Sequence, residues 1–239
     1  MNWESNAVLE NHLYHREVWA KRSRKTFYET DPEAHLLASF ILEALADFTT
    51  RTSGKPWPLQ TNEGRYSAGL VVSFVRSQFM VVRCAEESHL IEGTTLLRKQ
   101  LEVLARLNEL DNAGEAFQKL LKKTPKLAAM KSTAREIYGP YSEVAHSSAP
   151  DHFHLLGTGE AEGYKDYMSF YPEFSRNSYV LLYNRGLVFI EFWLWLQSYN
   201  ERHAAPWDLD QFTLSASAAF RVMAEWDVKD LVASVPNQA

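Results

Sequence analysis

An all-α, single-domain bundle of about six to eight helices is what this sequence predicts, on three observations. Apolar residues recur at three- and four-residue spacing through most of the chain. Glycine and proline are few, 10 and 9 in 239 residues, and they gather between the periodic segments. No alternating apolar–polar run is bounded by hairpin chemistry. With 46% hydrophobic and 23% charged residues the composition is globular, which excludes collagen-like, low-complexity and disordered chains. Lys+Arg 25 against Asp+Glu 30 gives a formal charge of −5, so bulk coating of nucleic acid is excluded and local basic patches stay open.

Residues 1–30 read as a helical arm. Asp31-Pro32 opens the bundle core, Asp31 as N-cap and Pro32 at the first helical position, where a missing N–H costs nothing. Leu36, Leu37, Phe40, Ile41, Ala44, Leu45 and Phe48 then form one apolar face, which ends before the turn-rich 52–58. From Tyr66 to Leu110 the pattern predicts two helices, one ending near Leu90 and one starting near Thr94, or one long bent helix, with Gly93 as the weak point. Asn112-Ala113-Gly114 breaks the chain, and a short helix runs to about Lys123. Thr124-Pro125 predicts a further helix reaching Tyr138, interrupted at Gly139-Pro140. Residues 147–174 form an irregular insert between the two parts of the core, 31–146 and 175–234. Ser175 caps a helix through Tyr199, and Asp208 or Asp210 caps the last one, which ends near Ser234.

The single cysteine, Cys84, excludes an intramolecular disulfide and suits a reducing cytoplasm. The polar start of the chain carries no apolar stretch of a signal peptide. Tyr179–Tyr199 is the most apolar segment, yet Asn184, Arg185 and Glu191 interrupt it, so a buried helix is expected and no membrane span.

Two polar constellations stand out. Arg98, Glu102 and Arg106 lie four apart amid leucines, either as a surface ion-pair ladder or as a partly buried group needing partners from another helix. Tyr138, Ser142 and His146 repeat the spacing, as a polar seam or as a catalytic row around an imidazole. Together these motifs, Arg-x3-Glu and Tyr-x3-Ser-x3-His, resemble a group of all-helical bacterial proteins similar to HEPN domains. Those domains occur in toxin–antitoxin and phage-defence systems, and many are ribonucleases. The resemblance covers about 50 residues; it implies a site of Arg98, Glu102, Tyr138, Ser142 and His146. His146 would then be the general acid or base, and Arg98 would stabilise charge on phosphate. HEPN ribonucleases also carry Arg-x4–6-His, usually acting from two subunits, which implies a homo-oligomer. One match exists, Arg83 to His89; it encloses Glu86 and Glu87, whose charge opposes phosphate.

A rival enzyme class comes from order. Glu43, then Glu86-x-x-His89, and Glu102, then Glu143-x-x-His146, follow the sequence shape of four-helix carboxylate proteins that bind two iron or manganese ions. Lys21, Arg22, Arg24 and Lys25, flanked by Trp19, Phe27 and Tyr28, suit RNA, with cations on phosphates and rings on bases. Lys122, Lys123, Lys126 and Lys131 make a looser basic surface. Asp151-His152-Phe153-His154 has metal-binding side chains on a loop. No phosphate-cradling glycine loop and no nucleophile elbow exist, which excludes P-loop, Rossmann, kinase and α/β-hydrolase chemistry. The remaining classes are a HEPN-like nucleic-acid or ribonuclease function, a non-catalytic module binding a partner protein through its C-terminal helices, and a di-metal oxidase.

Overall fold

The Asp31 carboxylate accepts from the backbone amides of Glu33 (3.0 Å) and Ala34 (3.2 Å), and this cap separates the first two helices of the computed structural model. The structure describes residues 7–112, 117–146, 171, 174–203, 205 and 207–226. Among them are eight α-helices and no strand. They are α1 Ala7–Thr30, α2 Pro32–Thr52, α3 Asn62–Glu86, α4 Leu90–Asn112, α5 Phe117–Leu120, α6 Tyr138–Ala145, α7 Asn177–Arg202 and α8 Asp210–Glu225. Two 3-10 turns, Leu127–Ala129 and Thr133–Ile137, precede α6. The predicted all-α bundle is therefore what forms.

α7 is the axis, packed by α2, α3, α4 and α8. Its buried residues, among them Tyr179, Leu182, Arg185, Phe189, Phe192 and Trp195, point in several directions, as a surrounded helix requires. Two glycines allow close approach. A Cβ at Gly186 would meet Met223 Sδ of α8 at 2.4 Å, and one at Gly93 would meet Leu181 Cδ2 of α7 at 2.4 Å. α2 and α8 are antiparallel and tied at both ends. Asp31 accepts from Trp226 Nε1 (3.1 Å), and Arg51 reaches Asp208 (2.6 Å).

Among the described residues the helix long and apolar enough to cross a membrane, on length and composition, is α3 rather than the 179–199 stretch. Val71, Phe74, Val75, Gln78, Val81 and Val82 of α3 are buried within the bundle.

Four predicted boundaries are corrected. The break between α3 and α4 falls at Glu87–His89, not at Gly93, which sits inside α4 as a packing contact. Thr124-Pro125 opens no α-helix. Carboxylates elsewhere capture this segment's amides: Glu109 takes Lys126 N–H (2.9 Å), and Glu191 takes Lys131 N–H (2.8 Å) and Ser132 N–H (2.7 Å). Gly139-Pro140 lies in the first turn of α6, where proline is tolerated, so it interrupts nothing. The last helix stops at Glu225, with Trp226 already extended, short of the end expected near Ser234; the insert at 147–174, apart from Tyr171 and Phe174, lies outside the described residues.

The contacts along α7 give α6 a direction. Ser132 meets Glu191 and Tyr141 meets Asn184 (2.6 Å), so the chain moves toward the start of α7 as it enters α6. That start is where Ser178 meets Ser88.

Candidate functional site

The turn between α3 and α4 is built on an unusual backbone. Ser88 N–H bonds Ala85 C=O (3.2 Å) and His89 N–H bonds Cys84 C=O (2.8 Å), the paired bonds of a Schellman C-cap. The cap places Ser88 at φ +57°, in the left-handed region where glycine is the usual choice. The serine side chain accounts for the exception. Its buried hydroxyl lies 3.3 Å from Ser23 Oγ of α1 and 3.1 Å from Ser178 Oγ of α7, and it accepts from Ser175 N–H at 3.1 Å. Glycine would free the backbone and lose this junction of three segments.

The same turn gathers charge. Glu87 is nearly buried, and its carboxylate takes Arg24 Nη1 at 2.6 Å and Arg83 Nε at 2.9 Å, with His89 Nε2 at 3.7 Å. Arg83 spends only Nε on Glu87 and is 62% exposed, so the fork of its guanidinium faces solvent. The Glu87 bond, and then its charge, hold the Arg83 guanidinium more firmly protonated than usual. Glu17 of α1 lies 3.5 Å from Arg24 and 3.9 Å from Lys21. Arg22, exposed, stands over the Trp19 ring at 5.3 Å, and Lys25 faces outward with Glu29 at 3.8 Å. Ser23 and Phe27, between these cations, turn inward. The basic run thus docks on the turn by one face and shows Lys21, Arg22 and Lys25 on the other.

Behind Glu87 lies a second layer. Tyr28 donates to the Glu86 carboxylate, and Ser23 Oγ donates to Glu86 C=O at 2.8 Å. Burial, then the Glu86 bond, push the Tyr28 hydroxyl well above its ordinary value. Arg185 of α7 is wholly buried, and burial pulls it down to about 9 against the opposing charge of Glu86 and Tyr28. Among the described residues none of its three guanidinium nitrogens has a hydrogen-bond partner.

The residues singled out from sequence are partly brought together. Arg98 Nη2, Glu102 Oε1 and Tyr138 Oη form a closed triangle with sides of 3.2, 3.3 and 3.1 Å, and Lys99 takes the other Glu102 oxygen at 3.2 Å. This is an α4–α6 tie, with the guanidinium also over the Tyr138 ring at 5.5 Å. Ser142 is half-buried on α6 outside the triangle. His146, exposed at the C-cap of α6, stands eight residues, about 12 Å of helical rise, beyond Tyr138. Arg106 is not part of a surface ladder; it is buried, 2.9 Å from Glu109, and donates to Lys123 C=O.

The residues of the metal alternative are dispersed. Glu43 and Glu143 are exposed on α2 and α6, Glu86 is taken by Tyr28, and Glu102 by Arg98. Among the described residues no three His, Cys, Asp or Glu side chains gather as a metal site. The 151–154 loop lies outside the described residues. The two basic surfaces are far apart. Residues 21–25 adjoin the α3–α4 turn, whereas Lys126 N–H sits on Glu109, near the opposite end of α4. Cys84 is buried, its thiol pushed up to about 11 chiefly by desolvation, as an inert structural cysteine requires.

No family model, curated protein or solved structure matches this chain. Glu87 and Ser88 had no place in the site expected from sequence, and Tyr28, expected there as a ring for a base, instead turns to the Glu86 carboxylate. Glu87 was visible only as a charge opposing phosphate. Its role depends on Arg24, 63 positions away.

Proposed function

We propose that this is a HEPN-like, nucleic-acid-directed protein that binds and cleaves RNA at the α3–α4 turn, rather than through the Arg98–His146 seam. The observation that carries it is the convergence of Arg24, Arg83 and His89 on Glu87. The charge that opposes phosphate in the linear sequence is thereby matched by two guanidinium groups. Arg83 offers its free fork to a phosphate. His89, 36% exposed, is within reach of a bound strand, with the Glu87 carboxylate 3.7 Å from its Nε2. Lys21, Arg22 and Lys25 track the backbone, and Trp19 offers a ring for a base.

In the cleavage step the ribose 2′-oxygen attacks phosphorus and gives its proton to His89. The P–O5′ bond breaks, and His89 passes that proton to the departing 5′-oxygen, leaving a 2′,3′-cyclic phosphate. Arg83 stabilises the charge that builds on the phosphoryl oxygens. The HEPN resemblance adds a second copy of the chain as partner, a reducing cytoplasm as setting, and defence or stress response as context.

The test is RNA binding and cleavage at low salt by the wild type, Arg83→Ala and His89→Ala. His89→Ala is expected to abolish cleavage while binding persists. Arg83→Ala weakens both and lowers the salt slope by about one. Purified protein that neither binds nor cuts RNA, in any oligomeric state, overturns the proposal. One observation favours the interaction-module reading instead: α8 leaves Leu214 and Phe220 exposed, 60% and 53%. Loss of cellular activity on Leu214→Ser/Phe220→Ser, with His89→Ala fully active, would select it.

A further inference from the structure

A cleft of about 530 Å³ lies on the other side of the bundle, between the end of α2, the 53–57 loop and the first half of α3. Its floor is apolar: Phe48, Val71 and Val75 are buried, and Trp57 forms a wall. Thr49 and Thr52 also line it, yet their hydroxyls donate back to Ala46 C=O (2.9 Å) and Phe48 C=O (2.6 Å). The cleft is therefore drier than its residue names suggest. At the carbonyl end of α2, which disfavours an anion, two of the last carbonyls are taken: Ser53 N–H bonds Thr49 C=O (2.9 Å) and Lys55 N–H bonds Thr52 C=O (3.1 Å). Gly54, at φ +73°, makes the turn that brings Lys55 to the rim.

Two cations stand at this rim, Lys55 from the loop and Arg76 from α3. Neither has a carboxylate partner among the described residues. Asp47 of α2 holds Arg51 at 2.6 Å, together with Asp208. A dry floor with two unmatched positive charges at its mouth complements a molecule with an apolar body and one anionic head.

We infer that this cleft is a binding site for a hydrocarbon-bodied carboxylate of the medium-chain fatty-acid type. The volume would be filled by roughly 15–20 non-hydrogen atoms. The chain would lie over Phe48, Val71 and Val75, and the carboxylate would sit between Lys55 and Arg76. The site is independent of the RNA proposal, because it shares no residue with the α3–α4 turn.

The test is calorimetric titration of the full chain with dodecanoate, with displacement of a fluorescent naphthalene sulfonate as the second readout. Expected are saturable one-to-one binding, and weakening by about two- to fivefold in each of Lys55→Gln and Arg76→Gln. Dodecyltrimethylammonium, with the same chain and opposite charge, should bind far more weakly. Ala68→Phe should fill the cleft and abolish binding. Should that variant misfold, Val72→Trp at the exposed rim serves instead, with folding checked by circular dichroism. Non-saturable uptake, equal affinity for the cationic surfactant, or full binding by a folded cleft-filling variant each overturns the inference.

Discussion

Glu87 and Glu191 are both shielded carboxylates, and the difference between their partners separates a site from a strut. Glu191 is wholly buried and accepts from two backbone amides, Lys131 and Ser132, and from Asn108 Nδ2 at 3.2 Å. Backbone donors cannot swing away, so this carboxylate fixes the chain path before α6. Glu87 is held by the ends of Arg24, Arg83 and His89, side chains that keep outward-facing donors. Cations that can let go of a carboxylate can take up a phosphate. Removing each carboxylate should therefore hurt different properties.

The largest effect is expected at Glu191. Glu191→Ala takes the shared acceptor from the part-buried amides of Lys131 and Ser132 and from buried Asn108 Nδ2, and should cost about 3–5 kcal/mol, read as a fall in the urea midpoint. A loss below about 1 kcal/mol would mean that water replaces the carboxylate, and the contrast with Glu87 would fail.

Next is a gain. Arg185 is buried with no hydrogen bond among the described residues, so Arg185→Met should stabilise the protein at neutral pH by about 1–4 kcal/mol. The pH dependence sharpens this. Burial pulls the folded-state guanidinium down to about 9, well below its value in the unfolded chain. The unfolded state binds more protons in that window, so this group makes stability rise with pH. Tyr179 and Tyr199 act oppositely: burial lifts both from 10 to about 12, the folded state keeps their protons, and stability falls across that window. Tyr28 and Tyr141, also raised by burial, add to the fall. Wild type should change little between about pH 9 and 10, and Arg185→Met should decline more steeply above 10. A variant less stable than wild type at neutral pH would show that Arg185 has a partner worth keeping.

How much of this was legible in the sequence depends on the range of the interaction. The Asp31-Pro32 cap acts within three residues, and the Leu97, Leu101, Leu104, Leu107 stripe repeats along one helix, so both could be read directly. The triangle of Arg98, Glu102 and Tyr138 was legible as two spacings. That they meet, and that Ser142 and His146 stay outside, was not. Gly93 misled because its small size serves a contact with Leu181, 88 residues on, rather than a break. The segment after Thr124-Pro125 carries local helix signals, and distant carboxylates override them. The α3–α4 turn hid best, since a serine in a glycine conformation has no local signature.

That serine gives the third prediction, smaller than the first two. Ser88→Ala keeps the left-handed strain and drops the hydroxyl between Ser23, Ser178 and Ser175 N–H. A loss of about 2–3 kcal/mol is expected. Ser88→Gly drops the same hydroxyl and relieves the backbone, so it should recover about 1 kcal/mol of that. Chemical denaturation of the pair separates backbone from hydroxyl. If alanine and glycine are equal, the turn is not strained.

The smallest stability change belongs to Glu87, where the functional change should be largest. Glu87→Gln preserves the side chain's size and can still accept from Arg24 and Arg83, and Arg83 is mostly solvated, so a cost of about 1 kcal/mol is expected. The amide gives the Arg24 and Arg83 forks less reason to stay folded back, and one negative charge leaves the RNA path. RNA affinity should hold or rise while cleavage falls by at least about tenfold, because His89 loses the negative charge beside it that favours its protonated form in the reaction. Binding and cleavage moving in opposite directions is an outcome a strut cannot produce. If both fall together with stability, Glu87 is a second Glu191, and the turn is architecture rather than a site.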